Sequence, residues 1–139
     1  MEVIVIGAGS RSNTYSTYFL ENPNAGKIIA LTEPNQQRRM NFAQKFKIPE
    51  KRQFPTGEEV FEQKSRIGTL CDHHVPIAIR SSNAGYKIIL ENPISHKLEE
   101  SLDLYDKVLE NETQVSICHV MRYHPLLPKI KGTRSIRTT

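Results

Sequence analysis

A doubly wound parallel α/β sheet in a single domain is the fold this sequence predicts. Short apolar runs rich in β-branched residues alternate with helical patterns along the chain, and six candidate strands are available. The first, Glu2-Val3-Ile4-Val5-Ile6, enters a tight glycine turn, Gly7-Ala8-Gly9-Ser10-Arg11-Ser12, and then a helical stretch. A β-branched run suits a parallel strand buried on both faces. Right-handed crossovers between such units favour the strand order 3-2-1-4-5-6, the Rossmann-like arrangement.

The elements follow in order. After the strand at 2–6, residues 11–21 place Tyr15, Tyr18 and Phe19 at helical spacing and stop at Glu21-Asn22-Pro23-Asn24. Lys27 to Thr32 is the second strand. Pro34 suits the first turn of a second helix, whose apolar stripe is Met40, Ala43 and Phe46 with Phe42 beside them. Residues 52–54 read as a short third strand. Thr56-Gly57-Glu58-Glu59 fits a capping box before Val60 and Phe61. Ile67 to Cys71 is the fourth strand. Residues 75–84 are expected to be helical, although Arg80, Ser81, Ser82 and Asn83 supply no core face, and Gly85 suits the position just past the helix end. Tyr86 to Leu90 is the fifth strand. Leu98, Leu102, Tyr105 and Leu109, with Val108, form the strongest helical stripe and predict a helix over 98–110. Gln114 to Cys118 is the sixth strand, and Gly132 to Thr139 has no apolar anchor and reads as a loose tail after a domain of residues 1–131.

Bulk composition bounds the function. The 139 residues are 37% hydrophobic and 24% charged, which is ordinary for a packed domain and excludes strong disorder. No apolar run reaches membrane-spanning length, and the N-terminus lacks signal-peptide architecture, so a cytoplasmic protein with no membrane partner is expected. The net charge of +4 is concentrated in Arg38, Arg39, Lys45, Lys47, Lys51 and Arg52 and in the tail's Lys129, Lys131, Arg134 and Arg137. No nucleic-acid fold signature accompanies these cations, and a solvated helix face and a frayed tail account for them. Cys71 and Cys118 each end an apolar run and read as reduced core residues.

In such sheets ligands bind outside the carboxyl ends of the strands, at the switch point. Gly7 permits the turn, Gly9 allows close backbone approach, and the next helix aims N–H groups and a positive dipole end at an anion, here a pyrophosphate. Glu33 follows the second strand. A carboxylate there accepts bonds from adenosine ribose hydroxyls and repels a 2′-phosphate, which favours NAD over NADP; Arg38 and Arg39 oppose that preference. Cys71-Asp72-His73-His74 follows the fourth strand. Adjacent histidines cannot easily face one ion, so these residues read as the lining of a cofactor cleft and no metal site is expected. Glu91-Asn92-Pro93-Ile94-Ser95 follows the fifth strand.

The order of GAGSR, an acid after the second strand, a D-x-H-like loop and then Ala84 to Ser95 resembles the N-terminal domain of the Gfo/Idh/MocA oxidoreductases, which include glucose-fructose oxidoreductase and inositol dehydrogenase. The resemblance runs from Met1 to about Lys131, and Arg122-Tyr123-His124-Pro125 resembles the segment leading out of that domain. It implies that Gly7, Gly9, Ser10 and Arg11 hold the pyrophosphate, Glu33 the adenosine ribose, and that Asp72, His73 and His74 line the nicotinamide side, with His74 matching the family's loop histidine. The family's Glu-Lys-Pro motif falls on Glu91, Asn92 and Pro93. Asn92 and His74 are then the residues nearest the chemistry.

Three departures limit the expected activity. Asn92 carries no charge and cannot act as acid or base, which typically costs ~100-fold or more in rate. Ser12 stands in place of a third glycine and brings a Cβ to the crossing of the first helix and strand, with an expected cost of ~1–3 kcal/mol if the site is tight. The family's second, substrate-holding domain has no counterpart in these 139 residues. The expectation is therefore a dinucleotide-binding domain with weak or no dehydrogenase activity alone. The alternative is a non-enzymatic scaffold or self-associating module that keeps the fold. An S-adenosylmethionine-binding methyltransferase shares the turn and the acid, but Glu91-Asn92-Pro93 argues against it.

Overall fold

The computed structural model describes residues 1–61, 67–71 and 74–119, with the side chains of Glu58, residues 67–71 and His74 outside that description. Six strands form one parallel sheet in the order β3-β2-β1-β4-β5-β6. They are β1 (Glu2–Ile6), β2 (Lys27–Thr32), β3 (Gln53–Phe54), β4 (Ile67–Cys71), β5 (Lys87–Glu91) and β6 (Val115–Cys118), alternating with α1 (Ser10–Glu21), α2 (Gln36–Phe46), α3 (Gly57–Phe61), α4 (His74–Asn83) and α5 (Leu98–Glu110). This is the topology expected from the sequence. Because all strands are parallel, their carboxyl ends line one edge of the sheet.

Strand alternation divides the core in two. Val3 and Val5 of β1 join Ile28, Leu31, Phe42, Ala43, Phe46 and Ile48 on the face covered by α1 and α2. Ile4 and Ile6 join Val60, Val75, Ala78, Ile88, Leu90 and Leu104 under α3, α4 and α5. Phe42 is 2% exposed, and truncating such a side chain to alanine typically costs about 3–5 kcal/mol.

Helix ends follow local chemistry. Pro34 lies outside α2; Asn35 is the N-cap, its side chain accepting from the Arg38 N–H. The Thr56 hydroxyl meets the Glu59 carboxylate at 3.3 Å at the start of α3. Three helices end in the same way. The N–H groups of Lys47 and Ile48 reach the Gln44 and Ala43 carbonyls, those of Gly85 and Tyr86 reach Ser82 and Ser81, and those of Glu112 and Thr113 reach Leu109 and Val108. Each is a Schellman closure, with Lys47, Gly85 and Glu112 at φ of 56°, 76° and 49°. Tyr86, expected to begin β5, instead completes the closure of α4 and is buried.

Three side-chain expectations are corrected. Met40 is exposed, so the buried stripe of α2 is Phe42, Ala43 and Phe46. Ser81 and Ser82 do supply a core face and are fully buried. Ser81 Oγ donates to the Ile77 carbonyl at 2.8 Å, and Ser82 Oγ meets Thr113 Oγ1 at 2.7 Å and accepts from Asn111 Nδ2 at 3.0 Å. Small, locally satisfied side chains let α4 pack closely on α5. In α5 the helix falls where expected, but Leu98, Leu102, Tyr105 and Leu109 are 71%, 51%, 59% and 58% exposed. The inward face is Leu104, with Val108 packed against the same cluster.

Candidate functional site

The site grows from the turn after β1. Gly7 has φ 90°, a region L side chains rarely adopt, and its N–H donates to the Thr32 carbonyl at 2.7 Å. Gly9 is the N-cap of α1 and has no side chain to bond the helix. The first bond within the helix is Asn13 N–H to the Gly9 carbonyl, so the N–H groups of Ser10, Arg11 and Ser12 have no intrahelical acceptor. No acidic residue occupies the first turn. A helix end with free donors and a positive dipole is suited to an anion. Asn13 Nδ2 donates to the Ala8 and Gly9 carbonyls, both at 3.1 Å, and so staples the turn to the helix it precedes.

Glu33 sits against this turn. It is 7% exposed, and its Oε2 accepts from the Ala8 N–H at 2.8 Å while Oε1 accepts from the Asn35 N–H at 2.9 Å. Its own N–H donates to the Phe54 carbonyl of β3. The carboxylate is thereby fixed in direct contact with the middle residue of Gly7-Ala8-Gly9. Each oxygen retains a further lone pair for a ligand donor. Arg39 donates to the Glu33 and Pro34 carbonyls and is committed to that loop. Arg38 is exposed, and its backbone N–H is taken by Asn35.

Across the switch point, β5 ends in Glu91, which is 6% exposed. One carboxylate oxygen accepts from the Asn92 N–H at 3.3 Å, and the other is buried without a partner among the described residues. The Asn92–Pro93 bond is cis, and both residues are exposed at the edge of the sheet. Ser95 bonds Glu100, which also pairs with Lys97 at 2.9 Å, and these two contacts hold the Glu100 carboxyl below its ordinary range. Tyr15 of α1 and Cys118 of β6 face the Glu91 carboxylate. Burial, then that carboxylate, pushes the Tyr15 hydroxyl well above its ordinary value, and burial raises the Cys118 thiol.

The structure thus brings Gly7, Gly9, Ser10 and Arg11 together with Glu33, and sets Glu91, Asn92 and Pro93 across β4 from them. Asp72 and His73 lie outside the described residues. His74 begins α4, with its side chain outside the description. Sequence reasoning missed Asn13, Asn35 and Tyr15. Asn35 was legible as an N-cap residue three positions before Arg38; nothing in spacing marks Asn13 or Tyr15.

A glycine turn, an uncapped helix start and a buried acid at a parallel-sheet switch point define a dinucleotide-binding Rossmann domain. The chain belongs to the GFO_IDH_MocA oxidoreductase family, with an NAD-binding Rossmann fold, which matches residues 1–119. Among solved structures it is similar to the WlbA dehydrogenase from Chromobacterium violaceum in complex with NADH and UDP-GlcNAcA, at 13% identity and TM-score 0.83, covering 97% of this chain and 39% of that one. It is also similar to biliverdin reductase from Synechocystis sp. PCC 6803 in complex with biliverdin and NADP+, at 14% identity and TM-score 0.84, covering 96% and 42%. KijD10, a 3-ketoreductase from Actinomadura kijaniata in complex with NADP and TDP-benzene, matches at 15% identity and TM-score 0.77, covering 97% and 42%. At these identities the likeness is one of fold. The chain spans about two fifths of the length of these proteins. Comparison with curated proteins returned no match. Among the described residues no helix is long and apolar enough to cross a membrane, and no group of three or more His, Cys, Asp and Glu is placed to hold a metal.

Proposed function

We propose that this chain is the cofactor-holding unit of a nicotinamide-dependent oxidoreductase of sugar-like or polyol substrates, and that it takes NAD(H) in preference to NADP(H). The observation that carries the reading is the Glu33 carboxylate held 2.8 Å from the Ala8 N–H, inside the glycine turn. A fixed negative charge there accepts from ribose hydroxyls and opposes a 2′-phosphate.

The residues fit a dinucleotide. The N–H groups of Ser10, Arg11 and Ser12 at the start of α1 receive the pyrophosphate, with Gly7 and Gly9 giving room. Glu33 takes the adenosine ribose, and the exposed Arg38 offers a cation to the phosphates. Glu91, Asn92 and Pro93 bound the nicotinamide end together with Asp72, His73 and His74. When bound, the nicotinamide supplies hydride transfer at its ring carbon. Asn92 can orient a hydroxyl by hydrogen bonding but can neither take nor give up a proton at neutral pH. Of the titratable groups in this set, His74, which matches the family's loop histidine, is the one assigned to proton transfer, and turnover of polyols by this chain on its own is expected to be negligible.

Calorimetric titration with NADH and NADPH, on protein of measured oligomeric state, tests the reading. Tighter binding of NADH is expected. Tighter binding of NADPH overturns the assignment of Glu33, and no binding of either overturns the cofactor reading. Measurable oxidation of any polyol overturns the expectation drawn from Asn92. A scaffold or self-associating module is the second reading, favoured by the exposed apolar stripe of α5.

A further inference from the structure

We infer that a second copy of this chain docks along α5 and the β6 edge, forming a twofold dimer. Leu98, Leu102, Tyr105 and Leu109 are spaced 4-3-4, the rhythm of a coiled-coil seam. At 3.6 residues per turn they fall within about 60° of one another, and about 110° round the helix from the inward Leu104 and Val108. They are all more than half exposed. A row of this length and spacing presents a self-complementary surface.

The direction of the seam identifies its partner. The opposite side of α5 packs on α4, where the Lys107 carbonyl lies near Ser82 Oγ and Asn111 bonds Ser82 and Asn83. The seam therefore points away from α4, over β6. Among the described residues β6 pairs with β5 alone and ends the sheet, leaving its outer N–H and C=O groups open. Val115 packs with the cluster under α5, so Ile117, two residues on, lies on the same face; it is 40% exposed. Edge strand and seam are thus contiguous. A twofold axis beside β6 pairs β6 with its copy antiparallel, and the same axis lays the two seams side by side.

The area is sufficient for a weak dimer. At about 100 Å² per fully buried leucine-sized side chain, the exposed parts of these five residues offer about 300 Å² per copy, or about 600 Å² for the pair. Ordinary interfaces are just over half apolar, which corresponds to about 1,100 Å² in all, near the lower bound for a specific contact. The charge pattern gives the dimer a signature. Glu99, Asp103 and Asp106 flank the seam on its solvent side and are all exposed, and the helix's two lysine-paired acids are Glu100 with Lys97 and Glu110 with Lys107. The acids of two copies, without an ion pair among the described residues, converge, so salt should tighten the association by screening them.

Sedimentation of the full 139-residue chain from 5 to 500 µM tests this, an estimate of range set by the interface size. A monomer–dimer equilibrium with a midpoint on the order of tens of micromolar is expected, tightening about threefold or more between 20 and 500 mM NaCl. Leu102→Glu and Tyr105→Glu should abolish the dimer. Both sites are already half exposed, so circular dichroism and the melting temperature should stay near wild type. Oxidation should trap a covalent dimer of Tyr105→Cys faster than of Asp103→Cys, on the solvent side of the same helix. A monomer at every concentration overturns the proposal and leaves the stripe to another partner. A dimer that survives Leu102→Glu, or that salt weakens, overturns it equally. NADH binding is read separately and does not depend on it.

Discussion

Replacing Glu33 separates its two tasks. Its carboxylate accepts two backbone N–H bonds, from Ala8 at 2.8 Å and Asn35 at 2.9 Å, at a site 7% exposed. Bonds to a charged acceptor contribute about 1.5–3 kcal/mol each, and leaving a buried donor unmet costs about 1–3 kcal/mol. In Glu33→Gln one oxygen becomes an NH2 group facing an N–H, so one donor loses its partner. The expected loss of stability is about 1–3 kcal/mol, read by urea unfolding. On the function proposed above, the same change removes the charge that would accept from ribose hydroxyls and oppose a 2′-phosphate. NADH affinity should fall about 10- to 100-fold, equivalent to about 1.4–2.8 kcal/mol, while NADPH affinity holds or improves. A variant that had merely loosened would lose both cofactors together. Unchanged NADH affinity in a folded Glu33→Gln protein refutes the reasoning and moves the ribose elsewhere.

Further outcomes are expected elsewhere in the chain. Ser16 Oγ is fully buried with no hydrogen-bond partner among the described residues, so Ser16→Ala should stabilise by about 1 kcal/mol in denaturant unfolding, since it removes an unmet polar group from a helix. Lys47 and Glu112 sit in the left-handed conformation that Gly85 occupies at the equivalent position of α4. Lys47→Gly and Glu112→Gly should each stabilise by about 0.5–1 kcal/mol, and Gly85→Ala should destabilise by about 1 kcal/mol, with thermal melts as the readout. Tyr15 has its ionisation raised in the folded protein, mainly by burial. Its contribution is complete below the unfolded value near 10 and declines above it, because the unfolded chain sheds that proton first. Alkaline titration by tyrosinate absorbance should show a step that appears only on unfolding, and Tyr15→Phe should remove that step.

The fold was legible because every strand but the two-residue β3 is a short apolar run and the turns carry their own chemistry. Gly7 and Glu33 were legible as a pair for the same reason: a glycine turn and an acid after the second strand converge in a parallel sheet. The α5 stripe located the helix but not its inner face, because two faces of that helix carry leucines. Periodicity locates the helix, but the choice of inner face belongs to α4, whose buried Ser81 and Ser82 leave room for Leu104 and Val108. The same two serines were discounted because hydroxyls look solvent-facing until Ile77, Thr113 and Asn111 are seen to satisfy them. Met40 failed for a simpler reason: Phe42, Ala43 and Phe46 already fill the space beneath α2. Tyr15 was read only as a helical spacer, since the carboxylate it faces lies 76 positions away on β5.

The Asn13 staple bears on how such a protein ages. Its amide nitrogen is held by two carbonyls, Ala8 and Gly9, within a helical turn, which keeps the side chain away from attack by the following backbone nitrogen. Hydrolysis to aspartate at this one position would set an anion against two carbonyl oxygens and beside the free N–H groups of Ser10, Arg11 and Ser12. The turn would be pushed open, and its attraction for phosphate would be cancelled by a single unit of charge. The contacts that shape the turn therefore also protect the amide that makes them, and Asn13 should deamidate slowly for as long as the turn stays folded.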